Sequence, residues 1–231
     1  MGNKKCICQG GFLPGYSKPP EPIREWNAAY IAEHWVRVAA MVILIFTGFF
    51  IHWPFISGGP NSTIMATMRF LHFAAAYAFI IGLVIRVYMA FNSRFDPDWR
   101  DFGIMRNLVN VPDILMWYLF LKKDHKKYRK YNPLQAYAYL GVAVLILLSA
   151  ITGFAIYHGK LFLLIQAPGP FNWVNHLLGG ESYTRIAHIL IMWCFIVFFF
   201  IHVYLSVMNS LVKRDESFTS IFTGNKLPVD H

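Results

Sequence analysis

The stretch RIAHILIMWCFIVFFFIHVYL, Arg185–Leu205, decides the fold. At roughly 1.5 Å per residue, about 20 apolar residues cross a hydrocarbon core of about 30 Å, so the segment reads as a membrane-spanning helix. Yet it carries two imidazoles, His188 and His202. Ionisable groups inside a span are costly to desolvate, which marks both histidines as candidates for function.

Three more stretches have the same character: about Ala32 to Trp53, about Thr67 to Phe91 and about Pro133 to Tyr157, with the fourth running from about Tyr183 to Met208. The chain of 231 residues is 56% hydrophobic and 14% charged, a composition that excludes an ordinary water-soluble domain. The expected architecture is an all-α membrane protein, a four-transmembrane-helix bundle forming a single unit over residues 1–231. Residues 1–30 form an N-terminal segment and 209–231 a tail. The apolar piece KLFLLIQAPGPF, Lys160–Phe171, is too short to span and is broken by Pro168, Gly169 and Pro170, so it reads as a surface loop. Within the long connection between the second and third spans, LVNVPDILMWYLF, Leu108–Phe120, reads as an amphipathic helix lying in the interface. No repeat of fixed period is evident.

Lysine and arginine flanking spans are retained on the cytoplasmic side. They concentrate before the first span (Lys4, Lys5, Lys18, Arg24), in the second connection (Arg94, Arg100, Arg106 and KKDHKKYRK) and in the tail (Lys213, Arg214, Lys226), while the other two loops hold only Lys160. Both termini are therefore expected in the cytoplasm, in a bacterial inner membrane. The formal charge of +9 follows from this bias and from attraction to anionic lipid, so no nucleic-acid partner is expected. Cys6, Cys8 and Cys194 make no disulfide framework and no C-x-x-C-H attachment site, which leaves any haem non-covalent.

His188 and His202 are 14 residues apart. At about 100° per residue they fall within about 40° of four full turns and about 21 Å apart along the axis, so they share one face at two depths. That suits two stacked haems better than a single metal ion, whose ligands converge within a few ångströms. Each six-coordinate iron then needs a second imidazole at matching depth. RFLH, Arg69–His72, and RIAH, Arg185–His188, each place a histidine one turn below an arginine at the outer end of a span, which pairs His72 with His188. His34 and His202 pair near the inner surface. A rival uses His52, which shares a face with His34, but its separation of about 27 Å exceeds the 21 Å of the last span by about a turn.

Two imidazoles on each iron leave no open position, which suits electron transfer. Arginine offers a planar, permanently charged fork for the haem propionates: Arg69 and Arg185 at the outer level, Arg37 and Arg86 at the inner. Gly48, Gly82 and Gly153 give a flat macrocycle room to approach the backbone, a role they share with ordinary helix packing.

With these residues placed, the chain resembles the b-type cytochrome subunit of quinone-reactive nickel-iron hydrogenases, a family of di-haem membrane anchors, from about residue 24 onward. The resemblance lies in EHWVRVAAMVILIFTGFFI, a His-Trp segment closing on Thr-Gly; in RFLHFAAAYAFIIGLVIRVY; and in the run from His188 through Trp193 and Phe198 to His202. One departure is Ile31, where the family often carries arginine.

The resemblance implies two haems b on His34, His72, His188 and His202, the same four that depth and face select. It also implies hydrogenase small and large subunits as partners and membrane quinone as electron acceptor. The chain would not itself handle hydrogen but would form the quinone-reducing part of a hydrogen:quinone oxidoreductase. His125, Tyr131 and Asn132 in DHKKYRKYNPLQ supply donors on the cytoplasmic side for a quinone site. Two alternatives stand beside this: a di-haem subunit of a formate dehydrogenase or another periplasmic oxidoreductase, and a haem-free transporter that uses its histidines as a proton relay.

Overall fold

The computed structural model describes residues 22–55, 63–92, 108–119, 121–122, 133–161, 165–166, 169–213 and 217–226. Four of its helices are long and apolar enough to cross a membrane: α1 (Ala28–His52), α2 (Ile64–Asn92), α4 (Pro133–Ala155) and α6 (Glu181–Lys213). Large outward side chains such as Phe70, Val84, Leu190 and Phe200 are exposed, a surface that lipid accommodates and water does not.

The helix ends follow local chemistry. Asn27 caps α1, its side-chain oxygen accepting from the Tyr30 amide at 2.7 Å, so the helix starts four residues before the apolar run. It stops before Trp53, because the residue preceding Pro54 is pushed out of the helical region. The stretch expected in the interface contains a short helix, α3 (Val111–Tyr118), with Pro112 in its first turn and Ile114 fully buried. The loop at Lys160–Phe171 holds a two-residue antiparallel pair, β2 (Lys160–Leu161) with β3 (Ile165–Gln166), and then a 3-10 turn at Gly169–Phe171. A short helix that hydropathy did not signal, α5 (Asn172–Leu178), follows and ends at Gly179 with φ 89°, a conformation only glycine adopts without strain.

The two terminal segments meet at one end of the bundle. β1 (Ile23–Arg24) pairs antiparallel with β4 (Asn225–Lys226), which follows α7 (Ser217–Thr223). Trp26 donates to the Ser220 hydroxyl at 3.1 Å and Trp35 to the Ile221 carbonyl at 3.2 Å, so the Trp beside His34 anchors this clasp to α1. Ile31 packs there too, 3.4 Å from where a side chain on Gly224 would begin.

Between the helices, Ala40, Met41, Ala75, Phe79, Leu83, Ile146 and Phe195 form the buried core. Backbones approach closely along α1 and α2 and along α4 and α6, whereas α6 approaches α1 and α2 only sparsely. The bundle is thus two tight hairpins that also meet where α2 approaches α4, with His72 and His188 facing each other across the looser approach of α6 to α2.

Candidate functional site

At the level expected to be the outer one, His72 of α2 and His188 of α6 face each other with ring centres 6.4 Å apart. A metal–imidazole nitrogen bond of about 2 Å on each side sets two ring centres roughly 6 Å apart, so one iron fits between these rings. His52, the alternative partner, is exposed at the end of α1 with its ring edge against Trp53.

Each facing imidazole is held from behind by a threonine. His72 Nδ1 lies 2.9 Å from Thr47 Oγ1, and His188 Nδ1 lies 2.9 Å from Thr152 Oγ1. The threonine hydroxyls donate to carbonyls one turn back, Thr47 to Ile43 and Thr152 to Leu148, each at 2.7 Å. A hydroxyl has one proton, and these are spent on the backbone, so the oxygens accept from Nδ1–H. The tautomer follows: Nδ1 keeps its proton and Nε2 is left with the lone pair a metal needs.

Gly48 and Gly153, which follow these threonines, bring the backbone against the rings. A Cβ on Gly48 would lie 3.5 Å from His72 Cε1, and one on Gly153 only 3.2 Å from His188 Cε1. Gly82 serves differently: its missing Cβ would sit 2.6 Å from Arg37 Cγ, so it makes room for the arginine stem.

The hairpins are therefore equivalent at this level. Thr-Gly-Phe on the first helix (47–49, 152–154) supports Arg-x-x-His on the second (69–72, 185–188). Hydropathy and histidine depth give no weight to a threonine, so Thr47 and Thr152 are missed by reasoning from the spans. The doubled Thr-Gly-Phe was the available signal.

At the level expected to be the inner one stand His34 of α1 and His202 of α6. The ring of His202 stacks on Phe198, with centres 5.4 Å apart, and His34 Nδ1 is buried with no hydrogen-bond partner among the described residues. Beside them is a charge cluster unforeseen as such. Glu33, buried, pairs with Arg37, whose Nη2 donates to Oε2 at 2.9 Å, and Arg86 acts on the same carboxylate while its guanidinium lies over the Tyr30 ring at 5.0 Å.

The outer arginines are exposed; Arg185 is ion-paired with Glu181, which also meets His158 Nε2 at 2.9 Å. His176 bonds Asn172. His125, Tyr131 and Asn132 lie outside the described residues.

Phe195 sits midway between His188 and His202, seven residues from each, and Phe79 sits midway between His72 and Arg86. Their rings meet edge to face at 5.6 Å, filling the space between the two levels.

Comparison with known proteins agrees with a helical membrane protein. The family described as prokaryotic cytochrome b561 matches residues 25–224, nearly the whole bundle. The chain belongs to the prokaryotic cytochrome b561 family. As a member it is an integral membrane protein with b-type haem. The chain is similar to the probable Ni/Fe-hydrogenase B-type cytochrome subunits of Azotobacter vinelandii, at 33% identity over 91% of this chain and 93% of that protein, and of Cupriavidus necator, at 30% over 88% and 83%. It is similar as well to the probable Ni/Fe-hydrogenase 1 B-type cytochrome subunit of Escherichia coli K12, at 30% identity over 88% of this chain and 87% of that protein. In this cytochrome b561 the His72–His188 pair, its Nδ1 atoms held by threonines and its rings backed by glycines, fits a haem by distance and by the tautomer those bonds favour.

Proposed function

We propose that this cytochrome b561 is the membrane electron-transfer subunit of a periplasmic nickel-iron hydrogenase, holding two haems b and delivering electrons to membrane quinone. The facing of His72 and His188 across 6.4 Å, each fixed by a threonine, is the observation that carries the reading. A b-type haem between two imidazoles supplies a one-electron carrier with no open coordination position.

His72 and His188 would hold the outer iron, and His34 and His202 the inner. Arg37 and Arg86, half-buried beside the inner pair, suit an anionic propionate there, and Arg69 and Arg185 serve the outer one. Residues 1–231 act as one unit in the inner membrane with both termini in the cytoplasm, consistent with their meeting at one end of the bundle. Electrons from the hydrogenase small and large subunits pass the outer pair and then the inner, and reach quinone near His125, Tyr131 and Asn132.

The names of the similar proteins favour a hydrogenase over a formate dehydrogenase as partner. Purification from membranes tests the whole: two haems per chain with low-spin bis-imidazole spectra, co-purifying hydrogenase subunits, and hydrogen-dependent quinone reduction are expected. A colourless chain, or one that arrives with a different dehydrogenase, overturns the reading. His125→Ala and Asn132→Ala should lose quinone reduction while keeping both haems, and unchanged reduction refutes the quinone site.

A further inference from the structure

The two histidine levels differ in what stands behind the imidazoles. At the outer level both rings donate Nδ1–H to threonine oxygens, and each threonine is itself polarised by a carbonyl it donates to at 2.7 Å. Such a chain strengthens each bond and pulls the Nδ1 proton away from the ring, which makes Nε2 a stronger electron donor. At the inner level His34 Nδ1 is buried with no hydrogen-bond partner among the described residues, so its ring receives no such push.

The surrounding charges act in the same direction. Arg37 and Arg86 are half-buried beside the inner pair, whereas Arg69 and Arg185 are exposed at the outer pair and Arg185 is offset by its ion pair with Glu181. A stronger donor favours ferric iron and a poorly screened cation favours ferrous iron; hydrogen bonding and local charge are established levers on haem potential.

We infer that Thr47 and Thr152 are positioning residues that hold the outer histidine pair at a lower reduction potential than the inner pair, so that the bundle has a built-in downhill direction from outside to inside. This rests on the di-haem reading above. The transfer it favours moves one electron from ferrous iron at the outer level to ferric iron at the inner; no bond forms or breaks, and the reductant is the low-potential electron supply from hydrogen oxidation.

Redox titration of the haem absorbance of the purified full chain tests it, with haem counted per chain. Two components are expected in the wild type. Thr47→Val and Thr152→Val should each raise the lower one by about tenfold in its oxidised-to-reduced ratio, or roughly 59 mV for one electron, and leave the upper one in place. Thr47→Ser and Thr152→Ser, which keep the hydroxyl, should titrate as wild type. His188→Ala should retain only the upper component and His202→Ala only the lower, so the order of the levels is read even where a valine variant fails to hold haem. Valine variants that move the upper component or neither, or a His188→Ala protein that keeps the lower component, overturn the inference. A wild type with fewer than two haems instead overturns the reading beneath it.

Discussion

Glu33→Leu tests the charge cluster at the His34 level. An exposed i,i+4 ion pair contributes only about 0.3–0.5 kcal/mol. Here the Glu33 side chain is 5% exposed and that of Arg37 19%, so removal strands the Arg37 guanidinium without its carboxylate in largely buried surroundings. Stripping one partner from a buried pair costs about 3–5 kcal/mol, and even about 3 kcal/mol is on the order of a 100-fold loss in the folding equilibrium. Arg37→Leu should be less severe, because Arg86 still faces the carboxylate. Replacing both Glu33 and Arg37 by Leu removes the pair without stranding Glu33, and should recover much of the loss. Unfolding of the haem-loaded chain in detergent, run as a double-mutant cycle, measures this, with an expected coupling of about 1–3 kcal/mol. A Glu33→Leu protein within about 0.5 kcal/mol of wild type, the ordinary range for surface substitutions, refutes the argument. Strictly additive losses refute it equally.

On the di-haem reading, Gly153→Val should expel the haem at the His72/His188 level and spare the other, because even the first added carbon lies 3.2 Å from His188 Cε1; Gly48→Ala, at 3.5 Å from His72, should keep both, and haem per chain separates the two outcomes. Phe79→Ala and Phe195→Ala each empty buried volume between the levels and should cost about 3–5 kcal/mol, less than additively when combined because the rings touch; detergent unfolding reads both. Asn209→Ala deletes the 3.0 Å bond to the Tyr118 hydroxyl, so amides around Ile114 in α3 should exchange faster with deuterium, with a local loss of about 0.5–1.5 kcal/mol.

What the sequence revealed and what it hid divide along physical lines. Hydropathy over 20 or so residues is a sum that no single contact reverses, so the four long helices and their approximate limits were legible. Helical periodicity placed His188 and His202 on one face, and the shared Arg-x-x-His placed His72 opposite His188, as the facing rings show. Short elements escaped, because α5 depends on the turn at Gly179 and the pairing of β1 with β4 joins residues some 200 apart in sequence. Thr47 and Thr152 were hidden for another reason: mid-helix threonine bonding back to a carbonyl is a common local pattern. Only the approach of a second helix turns its oxygen into an acceptor for an imidazole. Gly82 was legible as a place of close approach but not as to what approaches, which is the Arg37 stem.

The spacing along α6 explains why so much rests on one helix. His188, Phe195, His202 and Asn209 recur every seven residues, and seven steps of about 100° return to within about 20° of the starting direction, so the four form one stripe. That stripe meets His72 and then Phe79 of α2, and Tyr118 of α3 at its foot. Because α6 packs closely on α4 and stands off from α1 and α2, the stripe faces the looser seam, where flat groups have room. The aromatic contact of Phe79 with Phe195 sets how near the hairpins come, and the histidines above and below inherit that gap. Packing at the core therefore fixes the width of the site, while the threonines fix the orientation of the outer rings that line it.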